Sequence, residues 1–223
     1  MNDSRISGKS ASRLLRPLAL TALLGLCVFG LQACIEIAVG SAVVGTLAAT
    51  DRRTFGAQTE DKAIVIKAES KINSVVGAFG HVNANSFNRR VLLTGEVKDD
   101  ALKAKIEREI TAIEGVANVV NELSVGGSTG LGARSNDTLI TGKVKAALVD
   151  TRDIQANTFK VVTEGGIVYL MGRVSEHEGA LAGEAASRVG GVRKVVKVLE
   201  YISDDEVRQL KQSQPPAANN SNN

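Results

Sequence analysis

From residue 61 to residue 202 the chain states one pattern twice, and that internal repeat limits the folds open to it more than any other feature. Asp61-Lys62-Ala63-Ile64 returns as Asp137-Thr138-Leu139-Ile140. Asn85-Ser86-Phe87 resembles Asn157-Thr158-Phe159, and Leu92-Leu93-Thr94-Gly95-Glu96-Val97 resembles Tyr169-Leu170-Met171-Gly172-Arg173-Val174. Glu114-Gly115-Val116 with Val119-Val120 answers Gly190-Gly191-Val192 with Val195-Val196. The matched points lie 72 to 77 residues apart, which places the slippage in loops.

Each copy reads as helix, strand, strand, helix, strand. Ile64, Ala68, Ile72 and Val75 recur at helical spacing, and Leu102, Ile106, Ile110 and Ile113 form a second helical stripe. Segments 82–87, 91–97 and 116–125 have strand composition. Asp99 or Asp100 suits the cap of the second helix and Gly115 its stop. In the second copy Asn136 or Asp137 is expected to cap the first helix. Glu164-Gly165-Gly166 is expected to turn the hairpin, Ser175 with Glu178 to form a capping box, and Gly190-Gly191 to end the helix. The expected fold is α+β: two tandem units, each α-β-β-α-β, with a three-stranded mixed sheet backed by two helices. The hairpin is antiparallel, and the strand–helix–strand crossover is right-handed and parallel. Units of about 65 to 70 residues have marginal cores. The two units should therefore pack on each other, each burying what the other exposes.

The N-terminal region has different physics. Arg5, Lys9, Arg13 and Arg16 precede a nearly continuous apolar run, residues 18–31, which closes with Leu31-Gln32-Ala33-Cys34. A charged start, a short apolar middle and a small residue before a cut describe an export signal over 1–33. The apolar run is about 14 residues long, short of the roughly 20 that span a bilayer. Removing the signal takes away four basic residues and one acidic residue, leaving a formal net charge of zero. Overall basicity therefore gives no argument for nucleic acid. Of the two cysteines, Cys27 falls in the signal, so Cys34 has no partner for a disulfide. With no Trp and only 3% aromatics, the core must be aliphatic.

Segment 34–57 reads as a tether. Residues 35–50 suit either a stem lying on a membrane or a tether packed on the folded part, and 51–61 reads as a polar linker. The units are placed at 58–125 and 134–202, with a Gly-rich linker at 126–133. The segment 203–223 is expected to be a polar, disordered tail.

The small residue before Cys34 resembles the lipobox of bacterial lipoproteins, in which the Cys takes a diacylglycerol and its freed amine is acylated. The repeats, with Gly95-Glu96-Val97 and Gly172-Arg173-Val174 and a later Gly-Val followed by Val-Val, resemble paired BON domains. Lipobox, linker and two such units together resemble the dual BON-domain outer-membrane lipoproteins, a family that includes the division- and outer-membrane-stress-associated lipoproteins. The resemblance implies a non-enzymatic protein, acylated at Cys34 and held at the periplasmic face of the outer membrane. It implies binding of anionic phospholipid, support of outer-membrane integrity, and partners among outer-membrane assembly or division proteins. No cofactor is implied. Ile35, rather than Asp, after the acylated Cys is consistent with outer-membrane sorting in that family.

The second unit offers the better lipid surface. It holds ten basic and eight acidic residues, against nine and ten in the first. Ile140, Val144, Ala147 and Leu148 share one helix face, while Leu139, Lys143 and Ala146 share another about 100° away. An outward Leu beside a Lys and a small Ala suits a headgroup boundary, and Arg134 just before the helix is placed to reach a phosphate. The plainer alternative packs Leu139 on the first unit and leaves Lys143 solvated. A second functional reading is a protein adaptor that docks by strand addition on assembly machinery or cell-wall enzymes.

Catalytic motifs are weak. Gly126-Gly127-Ser128-Thr129-Gly130-Leu131-Gly132 lacks the Gly-Lys-Ser/Thr of a phosphate-binding loop and the third Gly of a dinucleotide site. His81 and His177, the two histidines, have neither the ligands of a metal site nor the partners of a hydrolytic triad.

Overall fold

The computed structural model describes residues 51–77, 80–126 and 131–213. Cys34, the signal and most of the tether lie outside them. In domain 1, helix α1 (Phe55–Val76) leads into strands β1 (Gly80–Phe87) and β2 (Arg90–Val97). Helix α2 (Asp100–Thr111) and strands β3 (Asn118–Asn121) and β4 (Ser124–Val125) complete it. Domain 2 comprises α3 (Leu131–Asp150), a 3-10 turn at Ala156–Thr158, β5 (Phe159–Glu164), β6 (Ile167–Val174), α4 (Glu176–Ser187) and β7 (Lys194–Tyr201). A last helix, α5 (Asp204–Ser213), follows.

Both sheets are mixed, as the crossover pattern requires. β1 runs antiparallel to β2, and β3 and β4 run parallel along its other edge. In domain 2, β5 is antiparallel and β7 parallel to the central β6. Each central strand sends apolar side chains to both sides, with the buried polar Thr94 and Glu96 beside Leu92 on the outer face of β2. Val91, Leu93 and Val97 of β2 join the helix-side core with Ile64, Ala68, Ile106 and Ile110, while the intervening Leu92 faces the other way. In β6, Val168, Leu170 and Val174 join Ile140, Val144 and Leu148, while Tyr169 and Met171 face away.

Those outer faces meet each other. Phe87 and Leu92 of domain 1 bury against Tyr169, Met171 and Val198 of domain 2, so the sheets lie back to back with the helices outside. Burial of five such side chains contributes on the order of 10 kcal/mol before ordering costs, and the expected mutual packing is the architecture observed. Polar contacts fix the register of the seam: Asn83 Nδ2 donates to Glu164 at 2.9 Å, Asn88 Nδ2 to Glu200 at 2.6 Å and Arg90 Nη1 to the Leu199 carbonyl at 2.8 Å. Burial, then the charges of Glu122 and Glu164, push the Tyr169 phenol up to about 12.

The glycine of each Gly-x-Val has a steric reason. A Cβ on Gly95 would lie 2.0 Å from the His81 carbonyl oxygen, at φ +117, and one on Gly172 would lie 2.7 Å from that of Thr158.

Four expectations are corrected. First, the linker expected at 51–61 is largely helical: Thr54 caps α1 by accepting from the Ala57 N–H, and Phe55 opens the helix. Second, α3 starts at Leu131, inside the expected Gly-rich linker. Asp137 is buried on its inner face and accepts from Gly165 N and Gly166 N at 2.8 Å each, so it braces a hairpin instead of capping a helix. Third, β1 ends at Phe87 before the turn Asn88-Arg89, and β5 ends at Glu164 before Gly165-Gly166. All four turn residues have positive φ, as a two-residue primed turn needs. The hairpins therefore match at an offset of 77, and Asn157-Thr158 lies before β5, out of register with Asn85-Ser86. Fourth, the expected tail begins as α5, whose Val207 is 5% exposed and whose Lys211 Nζ lies 3.5 Å from Glu178.

The residues before α1 staple the domains. Arg52, buried, donates through both Nη atoms to Glu178 at 2.6 and 2.7 Å and to the Arg173 carbonyl at 3.0 Å, all in domain 2. Its neighbour Arg53 turns to domain 1, donating to Asp61 at 2.6 Å with its guanidinium 4.0 Å from the Phe87 ring centroid. Glu178 also closes the capping box with Ser175. Burial alone would raise the Glu178 carboxyl pKa, but the Arg52 bonds, the Ser175 N–H and Lys211 outweigh it and hold the pKa below the ordinary glutamate range.

Candidate functional site

Helix α3 owes its two faces to its period. Asp137, Ile140, Val144 and Leu148 recur every three or four residues and are buried. On the opposite side Leu139, Lys143 and Ala146 are exposed, Leu139 to 63%. The structure thus brings these three together on an open face. Sequence reasoning stopped one turn short: Val149, three residues beyond Ala146, continues the stripe and is 70% exposed.

Arg134 does not join them. It lies about 140° around the helix from Leu139, lining a small cleft with His81, Asn83, Asp137, Thr141 and Glu164. Its Nε is buried there without a hydrogen-bond partner. Ala147 is half-buried at the edge of the packed face.

Domain 1 provides an internal comparison. Asp61, Ile64, Ala68 and Ile72 are buried on α1 at an offset of 76 from Asp137, Ile140, Val144 and Leu148. The same offset sets Ala63, Lys67, Ser70 and Asn73 against Leu139, Lys143, Ala146 and Val149, and all four are exposed. Only the cation is common to both. At these four positions the apolar outward stripe therefore belongs to domain 2, whereas the exposed apolar side chains of α1, Phe55 and Ile66, lie at other positions.

His177 is exposed in the first turn of α4, and the His81 ring pairs with the Asn83 amide at 3.1 Å. Among the described residues there is no cluster of three or more metal-ligating side chains, and no helix is long and apolar enough to cross a membrane.

Two tandem α-β-β-α-β domains packed through their sheets define a paired α+β module. The BON-domain model matches residues 65–127 and 136–203, and the chain belongs to the BON-domain family. It is 36% identical over 185 residues to the outer membrane lipoprotein DolP of Haemophilus influenzae, covering 82% of this chain and 95% of that protein. It is 30% identical over 154 residues to a 21 kDa hemolysin of Actinobacillus pleuropneumoniae, covering 68% and 79%. It is 32% identical over 139 residues to an uncharacterized protein of Anaplasma centrale, covering 61% and 91%.

Proposed function

We propose that this protein is a non-enzymatic lipoprotein of the outer membrane, acylated at Cys34 on the periplasmic side. Its second BON domain reads anionic phospholipid through Leu139, Lys143, Ala146 and Val149, and the protein supports membrane integrity, including at division sites. Support for the address comes from the lipobox-like sequence and from the likeness to DolP, which is named an outer membrane lipoprotein. The observation that carries the lipid reading is the contrast between the domains: an exposed Leu-Lys-Ala-Val stripe on α3 against Ala-Lys-Ser-Asn at the same positions of α1.

Magnitudes divide the work between anchor and face. Sinking Leu139 and Val149 into a headgroup boundary contributes about 1.5–3 kcal/mol each at full burial. A nearby lysine adds about 1 kcal/mol on an anionic leaflet. The sum corresponds to roughly millimolar to ten-micromolar affinity, too weak to retain the protein alone. Three acyl chains at about 0.8 kcal/mol per methylene retain it, and the helix face sets which side meets the lipid.

The test is co-sedimentation of the chain from Asp51 onward with phosphatidylglycerol vesicles at millimolar lipid. Binding is expected on these and not on phosphatidylcholine vesicles, and Leu139→Glu with Lys143→Glu should abolish it. Equal binding by the double variant sinks the site. Loss of all lipid binding alongside retained capture of an envelope protein moves the function to protein contacts.

A further inference from the structure

A second feature lies away from the α3 face, where α1 of domain 1 approaches β5 of domain 2. Strand alternation puts Phe159 and Val161 of β5 in the helix-side core. Lys160, between them, therefore points to the seam, where its neighbours on this face of the sheet are apolar. It is half-buried, and its hydrogen bond is a long one, 3.3 Å from Nζ to the Ser86 carbonyl. Burial, and then the Arg53 and Lys145 cations, depress its pKa below that of an ordinary lysine, with Asp61 opposing.

Asp61 does not neutralise this ammonium by contact. One of its oxygens accepts from Ser86 Oγ at 2.6 Å and Arg89 N at 2.8 Å, and the other from Arg53 Nη1 at 2.6 Å and Asn88 N at 2.7 Å. Two donors on each oxygen fill the capacity of a carboxylate. Asp61 is also the one acid among the described residues lining the cleft, which has a volume of about 530 Å³. The other walls carry Arg53, Lys62 and Lys160 as cations, with Val65 and Ile66 at the rim, Ile66 being 67% exposed.

We propose that this interdomain cleft is a binding site for a phosphate group of about glycerophosphate size, held by Lys160 and Lys62 with its organic part against Val65 and Ile66. A phosphate supplies what the cleft lacks, an acceptor for a partly dehydrated ammonium whose neighbouring carboxylate is already saturated. The site is independent of the α3 face, and either can fail alone.

The experiment is a heteronuclear NMR titration of the full-length protein in detergent, using inorganic phosphate in one arm and dihexanoyl phosphatidylglycerol, below its micelle concentration, in the other. Saturable shifts at Lys160 and Ser86 are expected. Their appearance with inorganic phosphate alone assigns a free anion. Additional shifts of the Val65 and Ile66 methyl groups in the second arm assign a lipid headgroup. Lys160→Gln should weaken binding about tenfold, the loss of one charge-assisted bond. Lys62→Gln, at an exposed position, should weaken it roughly threefold, and Leu139→Glu should leave it unchanged. Absence of saturation in both arms overturns the site. So does wild-type affinity in Lys160→Gln or, if that variant misfolds, in Lys62→Gln.

Discussion

Asp61 and Asp137 occupy the same post, 76 residues apart: each lies buried on the first helix of its domain and takes both backbone N–H groups of the hairpin turn into its carboxylate. The turns differ in sequence, Asn88-Arg89 against Gly165-Gly166, yet the brace is the same. A side chain at positive φ is costly, and domain 1 tolerates Asn88 and Arg89 there at φ 49 and 65. The Asp61 bonds and the Arg89 Nε bond to Gly115 O, at 2.7 Å, offset that cost.

Asp137→Ala strands two N–H donors and is expected to cost about 1–3 kcal/mol, lowering Tm by roughly 2–12 °C for the two packed domains melting together. Asp61→Ala should cost more, because Arg53 and Ser86 lose a partner as well. Thermal melts of the two variants decide this, and the reverse ranking would show that the brace is not what Asp61 contributes.

Glu178 joins Arg52 and Lys211 to the capping box of α4. Truncating one partner of such a buried pair costs about 3–5 kcal/mol, so Glu178→Gln should unfold at markedly lower urea at neutral pH. The Glu178 pKa is depressed in the folded state, so its stabilisation is complete above the unfolded value. It is lost as pH falls from about 4.5 down through the folded pKa. The gap between wild type and Glu178→Gln should therefore narrow as the solution is acidified below that value. A gap independent of pH would sever the link between this carboxylate and acid unfolding.

The chain has no Trp, so Leu139→Trp installs a single fluorescent reporter on the outward face of α3. An indole settles at a headgroup boundary better than an aliphatic side chain. Phosphatidylglycerol vesicles should shift its emission to the blue and bind the variant a few-fold more tightly than wild type. Ala63→Trp, at the matching position of domain 1, should show no shift. Equal shifts from both positions would mean that the two domains do not differ in the way the α3 stripe implies.

Much of this architecture was legible because burial obeys period. Ile64, Ala68 and Ile72 declared one helix and Leu102, Ile106 and Ile110 another, and all are buried. The Ser175–Glu178 box and the Asp99 cap were readable as local chemistry. The hairpin register was not, because Asn88-Arg89 bears no likeness to Gly165-Gly166 and a short Asn-x-Phe resemblance masked the true offset. The start of α1 was missed because its first turns are polar and half-exposed, which reads as linker. The outward triad on α3 followed from helical angle alone, and Val149 was reachable by one more turn. Arg134 was misplaced because a residue before the expected cap was assumed to be free to swing, whereas the helix begins at Leu131 and fixes it. The contact of Arg52 with Glu178 spans 126 residues, and no local pattern announces it.

Because Arg52 is gripped by domain 2 and Arg53 by domain 1, the chain enters the folded body at the joint between its halves. Tension transmitted along the polypeptide from the N-terminal side therefore reaches both halves at once through adjacent guanidinium groups, and neither sheet is peeled from the other strand by strand. Force arriving from that side is shared between the two halves and leaves the apolar seam between them unloaded.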